Sequence, residues 1–345
     1  MSSNFQVIGE NIHTTRVLRR KGRRISDLPD GTQAVNYRTK AGELRHLPIP
    51  EEFKKTQDYE EGRVKHVQIA VRGAMAGGDQ AAEGLRYLHR LAERQEDAGA
   101  RFLDLNVDEI SLHLEQQQAA MRWLVSAMKQ ASRLPLSIDS SNVDIIRAGL
   151  EAWGDGPASD GRGLLNSASL ERLDALDLAR EHDVQVIVTA AGESGMPSDT
   201  GERVANASRV VDAALARGIP ARDIYVDPLV FPIAVDQEFG NHCLEAIRRL
   251  RERYGAEIHI TGGFSNVSFG MPARRLINDV FLRLAIDAGA DSGILDPVTS
   301  HIDSVLGLDR TARPYRLAED LLLGHDQYCA TFIRAHRKGE LISND

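Results

Sequence analysis

Residues 262–272 read Gly262-Gly263-Phe264-Ser265-Asn266-Val267-Ser268-Phe269-Gly270-Met271-Pro272, between a short strand-like run at 257–261 and a helical pattern at 274–288. A glycine pair after a strand lets the backbone turn sharply and come close to a bound molecule. Ser265, Asn266 and Ser268 would then stand at the strand's carboxyl end, where α/β enzymes keep their chemistry. Taken alone, the stretch is also a plain polar connection; the ends of the other strands decide between the two. Glu10, Asp104, Asn106, Asp139, Asn166, Asp227 and Asp296 all lie at or just past such ends. A single acidic strand end can simply cap the next helix, but at position 139 the neighbouring Ser140 and Ser141 are the more natural caps. Carboxylates and primary amides gathered at one mouth suit a flat heterocycle with several N–H donors and a few acceptors, such as a guanidine-like pyrimidinone. They do not suit a phosphate, and no Gly-x-x-x-x-Gly-Lys-Ser/Thr loop occurs. The competing ligand is a divalent cation such as magnesium or manganese. Zinc is not expected, since no His-x-His or His-Glu-x-x-His pairing is present and His259 falls inside its strand.

The elements that would carry these residues alternate. Strand-like runs at 5–9, 101–108, 134–142, 164–167, 184–189, 223–228, 257–261 and 291–297 are separated by helical patterns at 80–98, 115–130, 143–153, 173–182, 202–217, 243–254 and 274–288. Alternating β and α elements imply a parallel sheet with right-handed crossovers. Eight such units in one chain of 345 residues predict a single-domain (β/α)8 TIM barrel spanning 1–345. An open doubly wound sheet is the alternative, but no Gly-x-Gly-x-x-Gly turn follows the first strand. A Gly-rich loop at 154–163 precedes the fourth strand, and a C-terminal helical stretch is expected over 315–337. Periodicity is lost over 16–65, a segment rich in Arg and Lys that leaves the carboxyl end of the first strand. Its Val35, Tyr37, Leu44, Leu47, Ile49 and Phe53 predict that it packs somewhere, as a long insert at the barrel mouth.

Composition sets outer bounds. A net charge of −8 argues against general nucleic-acid or acidic-membrane binding. Cys243 and Cys329 are too far apart in sequence for a thiolate zinc site or a disulfide framework. No apolar run approaches membrane-spanning length and the N-terminus lacks a signal peptide's apolar core, so a cytoplasmic location is expected.

Five segments agree in kind and order with one family: Leu103-Asp104-Leu105-Asn106-Val107, Ile138-Asp139-Ser140-Ser141-Asn142, Leu165-Asn166-Ser167, Tyr225-Val226-Asp227-Pro228 and Phe264-Ser265-Asn266-Val267-Ser268. The chain resembles the pterin-binding methyltransferases, in the branch that moves methyl groups between methyltetrahydrofolate and corrinoids, related to the folate module of cobalamin-dependent methionine synthase. The resemblance covers nearly the whole chain except the 16–65 insert. It implies that Asp139, Asn166 and Asp227 hydrogen-bond the pterin ring, with Asp104, Asn106 and Ser268 also among the substrate-binding residues. It implies that Asn266 lies beside N5, the nitrogen that carries the transferred methyl. A tertiary amine is a poor leaving group, so N5 must gain a proton or a hydrogen bond before cobalt takes the methyl. An amide can donate to unprotonated N5 or, turned over, accept from N5–H. If that stabilisation develops in the transition state, it contributes to rate as well as binding.

The resemblance further implies tetrahydrofolate or 5-methyltetrahydrofolate as substrate, no metal in the site, and a homodimer with 315–337 as a contact helix. No Asp-x-His-x-x-Gly cobalamin-binding segment occurs, so a corrinoid-binding partner protein is expected to bring the cobalamin. The first strand departs from the family's Gly-Glu-Arg-Ile-Asn and reads Gly9-Glu10-Asn11-Ile12-His13, so no family role passes to Asn11 or His13. The insert has no counterpart in short relatives and would serve as a lid or as a docking surface for the corrinoid protein. Dihydropteroate synthase, on the same barrel, would call for a Ser-Arg-Lys segment where Phe264-Ser265-Asn266-Val267-Ser268 stands. A non-catalytic folate-binding subunit and a metal-dependent barrel lyase or hydrolase are the remaining alternatives.

Overall fold

The computed structural model describes residues 5–78, 80–154 and 161–341. Eight strands form one sheet: β1 (Gln6–His13), β2 (Phe102–Asn106), β3 (Leu136–Asp139), β4 (Leu164–Ala168), β5 (Gln185–Thr189), β6 (Ile224–Asp227), β7 (His259–Ile260) and β8 (Ser292–Leu295). Their order is β7-β6-β5-β4-β3-β2-β1-β8. The two end strands are joined as well, since Ile294 N–H donates to the Gly262 carbonyl at 3.0 Å and Asp291 N–H to that of Ile260 at 3.2 Å. This is the (β/α)8 barrel topology that the alternation predicts. Every residue of β2 and β4 is buried, as expected for parallel strands covered on both faces. Register places the polar ends side by side: Asn106 pairs with Asp139, Asp139 with Asn166, and Thr189 with Asp227.

The described chain divides into two compact units, Gly9–Asn166 and the remainder. In the first, the 16–65 insert is ordered. Strands Ile25–Asp27, Gln33–Arg38 and Leu44–Pro48 make an antiparallel sheet, and Leu18–Arg19 pairs with Arg63–Val64. Val35, Tyr37, Leu47, Ile49 and Phe53 are buried as expected, whereas Leu44 is 51% exposed. The sheet lies against helix Ala81–Asp97, where Glu83 accepts from the Tyr37 hydroxyl and, at 2.8 Å, from Arg45 Nη2. At the end of the insert, Lys65 Nζ reaches Glu109, beyond the carboxyl end of β2, at 3.0 Å. Helix His66–Ala76 follows. Residues 155–160 of the Gly-rich loop lie outside the described residues.

In the second unit the continuous helix expected over 315–337 is broken into Arg313–Leu322 and Ala330–Arg337. Tyr328 and Cys329 both have φ of 56°, a left-handed conformation that no helix continues through. Asp326 restarts it, accepting from Thr331 N–H at 2.9 Å and Phe332 N–H at 2.8 Å. Among the described residues no helix is long and apolar enough to cross a membrane.

Candidate active site at the strand ends

Within the unit Gly9–Asn166, β1 to β4 bring five polar side chains together. Asp104 is fully buried. Its Oδ2 lies 2.8 Å from His13 Nε2 and its Oδ1 accepts from Asn166 Nδ2 at 3.4 Å. Asn106 donates through Nδ2 to Asp139 Oδ2 at 2.9 Å, while its own Oδ1 takes the Asp108 N–H at 3.0 Å. Asp108 in turn holds Ser141 N–H at 2.9 Å and the Ser140 hydroxyl. The helix Val143–Trp153 is capped by Asn142, whose side chain accepts from Asp144 N–H, so Asp139 is not spent on that helix. Asp104 and Asn106 are thus engaged at both ends, and they orient Asn166 and Asp139. Because Asn166 gives its Nδ2 to Asp104, its carbonyl oxygen is left to accept a ligand N–H.

Charge follows from burial. Asp139 is pushed up to about 7, first by desolvation and then by the nearby Asp104 carboxylate. His13 is raised above its ordinary value, because contact with Asp104, helped by Asp139 and Glu10, outweighs its desolvation. The family resemblance passes no role to His13. The signal that marks it is a titratable ring at the strand end where the family carries an amide. Donor atoms of His13, Asp104 and Asp139 all lie within 4.8 Å of one another, which also makes this trio a possible cation site.

In the other unit, β6 ends at Asp227, which is 8% exposed. One oxygen accepts from Leu229 N–H at 2.7 Å, and desolvation pushes the carboxyl up to about 6 against the pull of Arg203. Arg203 is fully buried under the rings of Phe231 and Phe239, 4.7 and 5.8 Å from their centroids, and donates to the Pro197 and Asp199 carbonyls. After β7 the Gly262-Gly263 pair leads into a tight turn, Phe264–Ser268. Phe264 anchors it, packing edge-on to Phe281 at 6.0 Å. The Ser268 hydroxyl is buried and committed to the turn, donating to the Ser265 carbonyl at 3.2 Å and accepting from Arg274 Nε at 3.0 Å. Arg274 also covers Phe269, 4.4 Å from its ring centre. Asn266, half-buried between these anchors, makes no side-chain hydrogen bond among the described residues. A Cβ on Gly263 would stand 3.0 Å from Asn266 Nδ2, so the glycine leaves room for the amide. Asp296 holds Val298 N–H at 3.0 Å, a local turn contact. Glu10 pairs with Arg16 at 3.1 Å, and His259 with Asp291 at 2.8 Å inside the barrel wall.

The profile of the family described as Pterin binding enzyme matches residues 78–296. The methylcorrinoid:tetrahydrofolate methyltransferase of Eubacterium limosum is 28% identical over 263 residues, 74% of this chain and 89% of that protein. A methionine synthase of Mycobacterium tuberculosis is 32% identical over 248 residues, 67% of this chain; the match spans 20% of that much longer protein. Among solved structures, dihydropteroate synthase from Xanthomonas albilineans superposes with a TM-score of 0.52 at 20% identity, covering 67% of this chain and 86% of that one, a likeness of fold. With the family profile spanning β2 to β8 and well over half of the sequence, the chain belongs to the pterin-binding enzyme family.

Proposed function

We propose that the chain is a methyltransferase that moves a methyl group between N5 of tetrahydrofolate and the cobalt of a corrinoid carried on a separate protein. The observation that carries this is Asn266. Its amide is held in place by a turn that Ser268, Arg274 and Phe264 fasten, yet its own donors and acceptor are left for a ligand. Similarity along most of the Eubacterium limosum protein supports the same reading. Asp139, Asn166 and Asp227 hold the pterin: carboxylate oxygens take ring and exocyclic N–H groups, and the Asn166 carbonyl accepts another. Asp104, Asn106 and His13 keep Asp139 and Asn166 in the orientation this needs. The corrinoid supplies a cobalt that takes or gives the methyl group. Asn266 serves N5 in both protonation states, donating when N5 is unprotonated and accepting when it carries a proton. The site therefore works in either direction: methyltetrahydrofolate to Co(I), or methyl-Co(III) to tetrahydrofolate, as in the catabolism of a methylated compound.

Spectroscopic assay with methylcobalamin and tetrahydrofolate, and with the reverse pair, tests this directly. The wild type is expected to turn over in at least one direction. Asn266→Ala is expected to lose rate on the order of a hundredfold, as when one aimed donor is removed. Absence of transfer in both directions would overturn the reaction, and wild-type rates in the variant would overturn only the role of Asn266. A second reading is favoured by the His13, Asp104 and Asp139 donor set: a divalent cation taking the place of the proton between His13 and Asp104. Loss of rate on chelation, restored by one metal, would support it; full rate in metal-free protein decides for the proton.

A further inference from the structure

The insert encloses something. Between its sheet and helix Ala81–Asp97 lies a cavity of about 340 Å³, lined by Arg24, Arg38, Arg90 and Arg94 together with Tyr37 and Tyr87. Its lining contains no carboxylate. The acids of the surrounding elements reach only part of this lining: Glu93 pairs with Arg90 at 3.1 Å and Asp97 lies 3.9 Å from it beside its 3.0 Å pair with Lys40, while Glu83 takes the Tyr37 hydroxyl, Arg45 and Arg86. Arg24 and Arg38 have no carboxylate partner among the described residues; Arg38 donates to the Gly42 carbonyl at 2.8 Å. In a chain with a net charge of −8, four guanidinium groups around one hollow are a concentrated exception.

Arg24 is also built into position. Its Nη2 donates to the Tyr87 hydroxyl at 2.7 Å, and that hydroxyl lies 2.9 Å from Nδ1 of His66. Tyr87 and His66 are both buried, with their rings edge-on at 5.7 Å. Burial and the charges of Arg24 and Arg16 hold His66 well below its ordinary value, so its ring is neutral. A guanidinium can only donate, so the Tyr87 oxygen accepts from Arg24, while the direction of the Tyr87–His66 bond follows from which ring nitrogen carries the proton. Two buried rings thus hold one end of the Arg24 guanidinium at the cavity. Fixed, forked donors around a small hollow match the oxygens of a phosphate group, which carries more charge in that volume than a carboxylate does. The cavity size falls in the range of small-molecule sites.

We propose that this cavity binds a small phosphorylated anion and that the 16–65 insert exists, at least in part, to form it. The site is separate from the residues assigned to the pterin and does not depend on that assignment. The test is isothermal titration of the full-length protein with pyrophosphate in 0.15 M sodium chloride, with sulfate and citrate as comparators. Arg24→Gln and Arg38→Ala are titrated alongside, with circular dichroism to verify their folds. Saturable one-site binding is expected for pyrophosphate, at least about tenfold weaker in each variant and weaker for sulfate and citrate. No saturable binding, or equal binding by wild type and variants, overturns the proposal. Equal affinity for sulfate means an adventitious ion only, and preference for citrate means a carboxylate site; both overturn it. Should Arg24→Gln fail to fold, the exposed Arg38 still decides.

Discussion

At the scale of single residues, the polar strand ends are legible in the sequence, because register in a parallel sheet sets Asn106, Asp139 and Asn166 in one row. What each of them touches is not. Asp104 and Asn106 are expected to meet substrate, yet their side chains reach Asn166 and Asp139. Ser268, also expected there, is spent on its own turn. His13 is marked in the sequence only as a titratable ring where the family carries an amide; its partner lies at position 104, a pairing that only the folded sheet creates. The glycine pair of the turn does permit a close approach. The approach is by the chain's own amide, 3.0 Å from where a Cβ at position 263 would stand. Gly263→Ala must therefore displace Asn266 by a few tenths of an ångström or more while leaving Asp139 and Asn166 untouched. The expected outcome is a fall in kcat of roughly ten- to a hundredfold, with KM for folate changed by less than about threefold. Steady-state methyl transfer at saturating corrinoid measures both; an unchanged kcat would mean that the amide's position does not matter.

At the scale of elements, what the sequence reveals depends on what each segment packs against. The helix over 274–288 is legible because its apolar face alternates with a charged one. Helix His66–Ala76 is not. Its sequence, His-Val-Gln-Ile-Ala-Val-Arg-Gly-Ala-Met-Ala, is a short apolar run that periodicity alone cannot tell from a strand. Its first six residues are buried, and it meets helix Ala81–Asp97 closely: a Cβ on Gly84 would sit 2.6 Å from the Ala70 carbonyl. The insert lacks a period for a different reason. Its strands are short and joined into a small antiparallel sheet, and its attachment is polar. Glu83 collects Tyr37, Arg45 and Arg86 on one carboxylate that is 12% exposed, and they hold it low, at about 2, against its desolvation. Glu83→Gln removes the charge that three donors share. Urea unfolding is expected to show a loss of about 1–3 kcal/mol, and Tyr37→Phe a smaller loss of about 1 kcal/mol. A change below about 0.5 kcal/mol in Glu83→Gln would mean that apolar burial alone fastens the sheet.

For the molecule as a whole, the two raised site carboxylates tie stability to the same protons that tie the site to its ligand. A carboxyl whose folded value exceeds its unfolded one binds a proton on folding. Its favourable contribution is complete below the unfolded value, near 4, and is lost as pH rises through the folded value. For Asp139 and Asp227 the losses fall between pH 4 and the folded values of about 7 and about 6. His13, also raised, loses its contribution in the same direction. His66 and Glu83, both lowered, act oppositely and lose theirs as pH falls, so the wild-type melting temperature alone does not isolate the site. The difference from a variant does. Asn at position 139 cannot ionise, so Asp139→Asn should gain on the wild type as pH rises from 5 to 8. The gain is on the order of 2 kcal/mol, after discounting for the partial solvent contact of Asp139. Parallel melting curves of the two proteins over that range would show that Asp139 is not raised. The same proton reappears in binding. A ligand offering N–H donors favours the carboxylate, so folate should release a proton as it binds near neutral pH. The binding enthalpy of the wild type should then vary with the ionisation enthalpy of the buffer, and whatever affinity Asp139→Asn retains should lack the share of that dependence due to Asp139. A site held partly protonated when free thus gives up some stability near neutral pH, and the ligand's donors restore it.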